Sequence, residues 1–102
     1  MRAVAEISKH IVVRGRVQGV GYRDFVERAA LQVGLGGWIR NRRDGSVEAV
    51  FIGAPEQVDL LIAACRKGPF VARVTELEQR DARVDEISLQ RQGEVFSVLP
   101  TL

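Results

Sequence analysis

Arg23 follows the glycine run of RGRVQGVGYRDFV (Arg14–Val26), which places glycine at positions 15, 19 and 21. Further along, Asn41 stands just ahead of Asp44-Gly45 in the run GWIRNRRDGS. A guanidinium is always charged, and its planar fork of donors fits phosphate oxygens. Glycines between a strand and a helix permit positive φ angles and let an anion approach backbone N–H groups, and the helix start adds partial positive charge. Gly15, Arg16, Val17, Gln18, Gly19, Val20, Gly21, Tyr22 and Arg23 therefore read as a phosphate cradle with its own clamp. A side-chain amide such as that of Asn41 both donates and accepts, as a group that orients water must. The glycine pattern alone is not specific, because a tight turn explains it as well. It lacks the Gly-Lys-Ser/Thr ending of a Walker loop, and the spacing and following acid of a dinucleotide fingerprint.

The elements around these residues follow from pattern. HIVVRG (His10–Gly15) is β-branched and reads as a strand. Phe25, Val26, Ala29, Ala30 and Val33 recur at helical spacing, which predicts a helix over Tyr22–Val33 with Gly34 as its C-cap. GWIRN and SVEAVFI form two strands joined across RRDG, where Asp44-Gly45 suits a tight turn. Ala54-Pro55 opens a second helix with the stripe Val58, Leu61, Ile62 and Cys65, ended by KGP (Lys67–Pro69). RVTELEQ (Arg73–Gln79) and VFSVL (Val95–Leu99) complete the strands, and the charge pattern of Arg80–Gly93 predicts no element. His10 reads as an ordinary strand residue, Cys65, Trp38 and Phe51 as packing, and Asp24 as support for the helix dipole. The order β-α-β-β-α-β predicts an α+β, ferredoxin-like split βαβ fold: an antiparallel sheet with two helices on one face. Strands one and two then run parallel with strand three between them. Their ends share one sheet edge, which brings Arg23 and the glycine loop near Asn41–Gly45.

Composition bounds the function. The 102 residues are expected to form a single domain, 1–102, and 46% of them are hydrophobic, enough for one core. No stretch approaches the ~20 apolar residues of a membrane span, and MRAVAEISKH lacks the apolar run of a signal peptide. One cysteine cannot form an intrachain disulfide, and one Cys with one His cannot build the usual zinc or iron–sulfur site. A cytoplasmic protein with no metal and no cofactor is expected. The net charge is +2, with Arg14, Arg16, Arg23, Arg40, Arg42 and Arg43 close together. An RNA-binding domain of this class needs adjacent aromatics on its middle strands, and SVEAVFIG and HIVVRG do not supply them. The expectation is a monomer with no nucleic-acid and no membrane partner.

GRVQGVGYR (Gly15–Arg23) resembles the active-site signature of acylphosphatases, and GWIRNRRDGSVEAVFIG (Gly37–Gly53) resembles their second signature, in the family's order and separation. KGPFVARV (Lys67–Val74) and FSV (Phe96–Val98) are also similar to family positions, so the likeness runs from Lys9 to Val98. Tyr22 stands where phenylalanine is usual, Ile39 where a smaller residue is usual, and LPTL (Leu99–Leu102) runs past the usual end. The resemblance implies hydrolysis of acyl phosphates to a carboxylate and inorganic phosphate. It implies that Arg23 binds the phosphate and that Asn41 positions the attacking water. The substrate would be a small acyl phosphate, with inorganic phosphate or sulfate as an anion bound in the loop. A non-catalytic, anion-binding ferredoxin-like module is the alternative.

Overall fold

Residues 5–102 are described by a computed structural model. They form β1 (Ile7–Arg16), α1 (Tyr22–Gln32), β2 (Gly36–Asn41), β3 (Val47–Gly53), α2 (Pro55–Lys67), β4 (Arg73–Asp81), α3 (Val84–Ile87) and β5 (Ser97–Val98). Alternation along β1 sends Ile11 and Val13 into the main core and His10, Val12 and Arg14 to the other face. α1 buries Tyr22, Val26 and Ala30, one turn apart, and α2 buries Val58, Leu61, Ile62 and Cys65. Both helices cover the same sheet face, over Ile11, Val13, Ile39, Val47, Ala49 and Phe51.

The strand order is β4-β1-β3-β2-β5. β3 pairs antiparallel with β1 on one side and with β2 on the other. β1 and β2 are therefore parallel to each other, and α1 is their crossover. Their C-terminal ends, Arg16 and Asn41, lie at one edge of the sheet, which is the placement that the site requires.

The sheet is not purely antiparallel as expected. β5 pairs in parallel with β2, through Trp38–Ser97 and Ile39–Val98. After β4, at one side of the sheet, the chain must reach the other side. It does so across the face that α1 and α2 leave open, and it enters beside β2 in the same direction. The segment Arg80–Gly93 makes this crossing and contains the end of β4 and α3. Ile87 and Ala82 pack there on Trp38, Val50, Ile52 and Leu99, a second, smaller core. Trp38 Nε1 donates to the Glu86 carbonyl at 2.7 Å. The last strand has two residues rather than five, yet the tail follows β2 to its end. Leu99 N–H donates to Ile39 O at 2.9 Å, and Leu102 N–H to Asn41 O at 3.2 Å.

His10 is not an ordinary strand residue. Its imidazole is buried on the open face, with Nε2 2.7 Å from Glu48 Oε2 and 3.5 Å from Glu86 Oε2. Arg40 donates to Glu48 at 2.8 Å, and Arg80 forks onto Glu86 with bonds of 2.8 and 2.7 Å. Each carboxylate thus bonds an arginine, and the crossing segment is fastened to the sheet.

Candidate active site

The glycines of the loop serve different ends. At Gly15 a β-bulge displaces β1 against β4, and a Cβ there would lie 2.0 Å from the Arg73 carbonyl oxygen. Only a residue without a side chain fits that approach. Gly21 is the N-cap of α1 at φ 77°, a left-handed conformation that β-carbons disfavour, and no side chain caps the helix in its place. Gly19 takes a similar conformation, at φ 73°. Space around Gly19 and Gly21 is open. Among the described residues, no protein acceptor is bonded by the N–H groups from Gln18 to Asp24. The first bond of the helix is Phe25 N–H to Gly21 O, at 3.0 Å. A run of backbone donors at a positive helix end is what an anion site requires.

These donors border a pocket of about 180 Å³ lined by Val17, Gln18, Gly19, Gly21, Tyr22, Arg23, Asp24 and Asn41. The fold thus brings together six residues of the predicted loop with Asn41, across the slot filled by β3. It sets three others apart. Gly15 serves the bulge, Arg16 lies beside Phe70, Val71 and Arg73, and Val20 borders a neighbouring groove along α1. Arg23 is half-buried and, among the described residues, has no carboxylate within 4.0 Å. Asn41 Oδ1 is buried and, among the described residues, has no hydrogen-bond partner. Both groups therefore keep their bonding capacity for something in the pocket.

The turn after Asn41 is well supported. The Asp44 carboxylate accepts from the Ser46 hydroxyl at 2.5 Å, from Ser46 N–H at 2.9 Å and from Arg14 at 3.2 Å. These bonds, the two from Ser46 foremost, hold its pKa at about 2. Gln18 Nε2 reaches this turn, 2.8 Å from each of the Arg42 and Ser46 carbonyl oxygens. Nothing in the local sequence signals that contact, because its direction depends on the β2–β3 register. Asp24 lines the pocket but is ion-paired with Arg28 at 3.1 Å. Tyr22 donates from its hydroxyl to the Cys65 carbonyl at 2.8 Å, and burial drives its pKa far above the phenol range. Burial also pushes the Cys65 thiol up to about 12. Neither group is poised as a base or nucleophile.

One His/carboxylate cluster among the described residues has ligand-like spacing: His10, Glu48 and Glu86, with donor atoms within 4.8 Å of one another. None of them lines the pocket of Arg23 and Asn41. The guanidinium groups of Arg40 and Arg80 already bond its carboxylates and oppose a divalent cation there.

Comparison with known proteins agrees with this geometry. The acylphosphatase family model matches residues 9–93. An acylphosphatase of Rhodopseudomonas palustris (strain BisB18) is 56% identical over 99 residues, covering 97% of this chain and all of that one. An acylphosphatase of Bradyrhizobium diazoefficiens is 56% identical over 92 residues, covering 90% and 93% of the two chains. The crystal structure of acylphosphatase from Bacillus subtilis superposes with a TM-score of 0.78 at 33% identity, over 91% of this chain and 98% of that one. A bulged glycine loop at the start of α1, facing an asparagine at the end of β2, thus stands in a chain that belongs to the acylphosphatase family.

Proposed function

We propose that this acylphosphatase hydrolyses acyl phosphates in the pocket of Arg23 and Asn41. The loop Gly15–Arg23 holds the phosphoryl group, and Asn41 orients the attacking water. The observation that carries this reading is a buried Asn41 Oδ1 without a hydrogen-bond partner and a guanidinium without a carboxylate within 4.0 Å, among the described residues, both in one small pocket.

The chemistry suits these groups. A carboxylate leaves without needing protonation, so the main demands are position and charge neutralisation on the phosphoryl oxygens. Arg23 and the loop N–H groups meet those oxygens. Asn41 Oδ1 accepts one hydrogen of the water and directs an oxygen lone pair at phosphorus. The new P–O bond forms as the bond to the acyl oxygen breaks, and its electron pair leaves with the carboxylate. The water's proton passes to a phosphoryl oxygen; Asp24, engaged with Arg28, is not required as a base. A pocket of about 180 Å³ holds a phosphoryl group and a water while the acyl group lies outside. We infer a small acyl phosphate as substrate, inorganic phosphate or sulfate as competing anions, and a cytoplasmic monomer that needs no metal or cofactor. An open face whose one tryptophan, Trp38, is buried under α3 offers no aromatic platform for RNA.

The test is turnover of benzoyl phosphate by Asn41→Ala. The kcat should fall by ~10²–10³, while inhibition by inorganic phosphate and the melting temperature stay near wild type. Removing a group that only orients water takes away an interaction made in the transition state. Wild-type turnover in the folded variant overturns the water site. Turnover should also persist in excess chelator; loss on chelation with recovery on adding a divalent ion overturns the metal-free mechanism.

A further inference from the structure

We infer that Gln18 is a positioning residue for this reaction: its carboxamide ties the phosphate loop to the β2–β3 turn and so fixes Asn41 relative to the phosphoryl group. The inference rests on the roles proposed above for Arg23 and Asn41. Gln18 Nε2 lies 2.8 Å from Arg42 O and 2.8 Å from Ser46 O. Both carbonyls also accept within the turn itself: Ser46 O from Arg42 N–H at 2.9 Å, and Arg42 O from Gly45 N–H at 3.1 Å. A carbonyl oxygen has two lone pairs and a carboxamide nitrogen has two hydrogens. One lone pair of each carbonyl serves the turn, and the other takes one hydrogen of Gln18. A hydroxyl has one hydrogen and cannot serve both. A carboxylate would set acceptors against acceptors.

The two tied residues adjoin the Asn41–Val47 pair on its turn side. Arg42 follows Asn41 directly, and Ser46 precedes Val47, the partner of Asn41 in the β2–β3 ladder. The loop has few other links to this turn. The β1–β3 ladder ends at Val13–Val47. Arg14 reaches Asp44 at 3.2 Å, an ion pair with both side chains more than two-fifths exposed, and such pairs hold weakly. Gln18 therefore sets the separation between the group that grips phosphate and the group that aims water. A misplacement of about 1 Å between reacting groups costs ~10²-fold in rate.

A double-mutant cycle decides the matter. Gln18→Leu keeps the size and removes the donors. Its kcat on benzoyl phosphate should fall about tenfold or more, with the inhibition constant for inorganic phosphate moving less than about threefold. In the Asn41→Ala background the same substitution should lower kcat little further, because the aim it protects is already lost. Gln18→Glu is run through the same cycle and should lose at least as much, so a folding failure in one variant leaves the other to decide. An unchanged kcat in Gln18→Leu overturns the tie. So does an equal fold-loss in the Asn41→Ala background, which would place the action of Gln18 on the loop alone. Wild-type turnover in Asn41→Ala overturns the water site itself, and the purpose of the tie with it.

Discussion

The open face of the sheet and the corner at the ends of β1 and β2 use the same kinds of polar residue in opposite ways. On the open face, His10 and Arg40 meet Glu48, and Arg80 and Arg83 meet Glu86, so each charged group faces an opposite one or a hydrogen-bond partner. At the corner, among the described residues, Arg23 has no carboxylate within 4.0 Å, Asn41 Oδ1 has no donor, and the N–H groups from Gln18 to Asp24 have no protein acceptor. An unmatched buried polar group costs roughly 1–3 kcal/mol. A fold carries such groups where a ligand completes them. The network that closes on itself holds the chain together, and the corner that stays open is where we place the chemistry.

The largest effect expected from this contrast is on Arg23. Arg23→Ala should lower kcat/KM for benzoyl phosphate by about 10³-fold or more, as loss of a positioned arginine does in phosphoryl transfer. Inhibition by inorganic phosphate should weaken as well. Arg23→Lys should recover little, since an ammonium lacks the planar fork. The melting temperature should hardly move, because among the described residues no group loses a bonded partner. An unchanged affinity for phosphate in Arg23→Ala breaks the clamp assignment.

Glu86→Ala should act the other way round. It takes the fork partner from half-exposed Arg80 and leaves His10 with Glu48 alone, a loss of about 3 kcal/mol. For a domain of this size each kcal/mol moves the melting temperature by about 4–8 °C, so a drop beyond about 10 °C is expected by thermal denaturation. The kcat of the folded protein at 25 °C should stay within about twofold of wild type. A parallel collapse of kcat would show that the two regions are one functional unit, and the contrast would fail.

The corner is the more legible region in the sequence, and the reason is physical. Its parts announce themselves locally: glycines with positive φ, an arginine at a helix start, an asparagine before a turn. The parallel placement of β1 and β2 follows from the crossover, so Arg23 and Asn41 can be brought together without a structure. Apolar stripes such as Val58, Leu61, Ile62 and Cys65 mark the core equally well. The network is silent because its partners lie far apart in the chain and meet only through strand register. His10 looks like any strand residue until Val50 is set opposite it in β3 and Arg80 in β4. Arg80–Gly93 looks like a solvated loop because its acids and bases neutralise one another, and its apolar anchors, Ala82 and Ile87, are too few to show a period. The side chain of Gln18 is hidden for the same reason: its acceptors are backbone atoms of a distant turn. Gly15 carries a different lesson, since the close approach of the Arg73 carbonyl is by itself enough to require a glycine there.

The smallest effect expected is an acid titration of the network alone. Chiefly through the Arg80 fork, and against its own burial, the Glu86 carboxyl is held at about 2, below the ordinary value of 4.5. A carboxylate with a lowered folded pKa contributes stability above its unfolded pKa and loses it as the pH falls through the folded one. Wild type should therefore melt a few degrees (~3–8 °C) above Glu86→Gln at neutral pH, a smaller gap than for alanine because the amide keeps the shape and one acceptor. The gap should stay level down to about pH 5, narrow from about pH 4.5, and close near pH 2. Other carboxylates are held low as well, Asp81 by Lys9 and Asp85 by Arg83 among them. Glu48 is held low by His10 and Arg40 against its burial, and Asp44 is held at about 2 by Ser46. All are present in the two proteins, so those that share no partner with Glu86 cancel in the difference. Differential melting curves from pH 7 to pH 2 would test this directly. A gap that persists unchanged at pH 2 would mean that the carboxyl's shape rather than its charge anchors the crossing segment, and the open face would then be a packing surface rather than a closed circuit of ions.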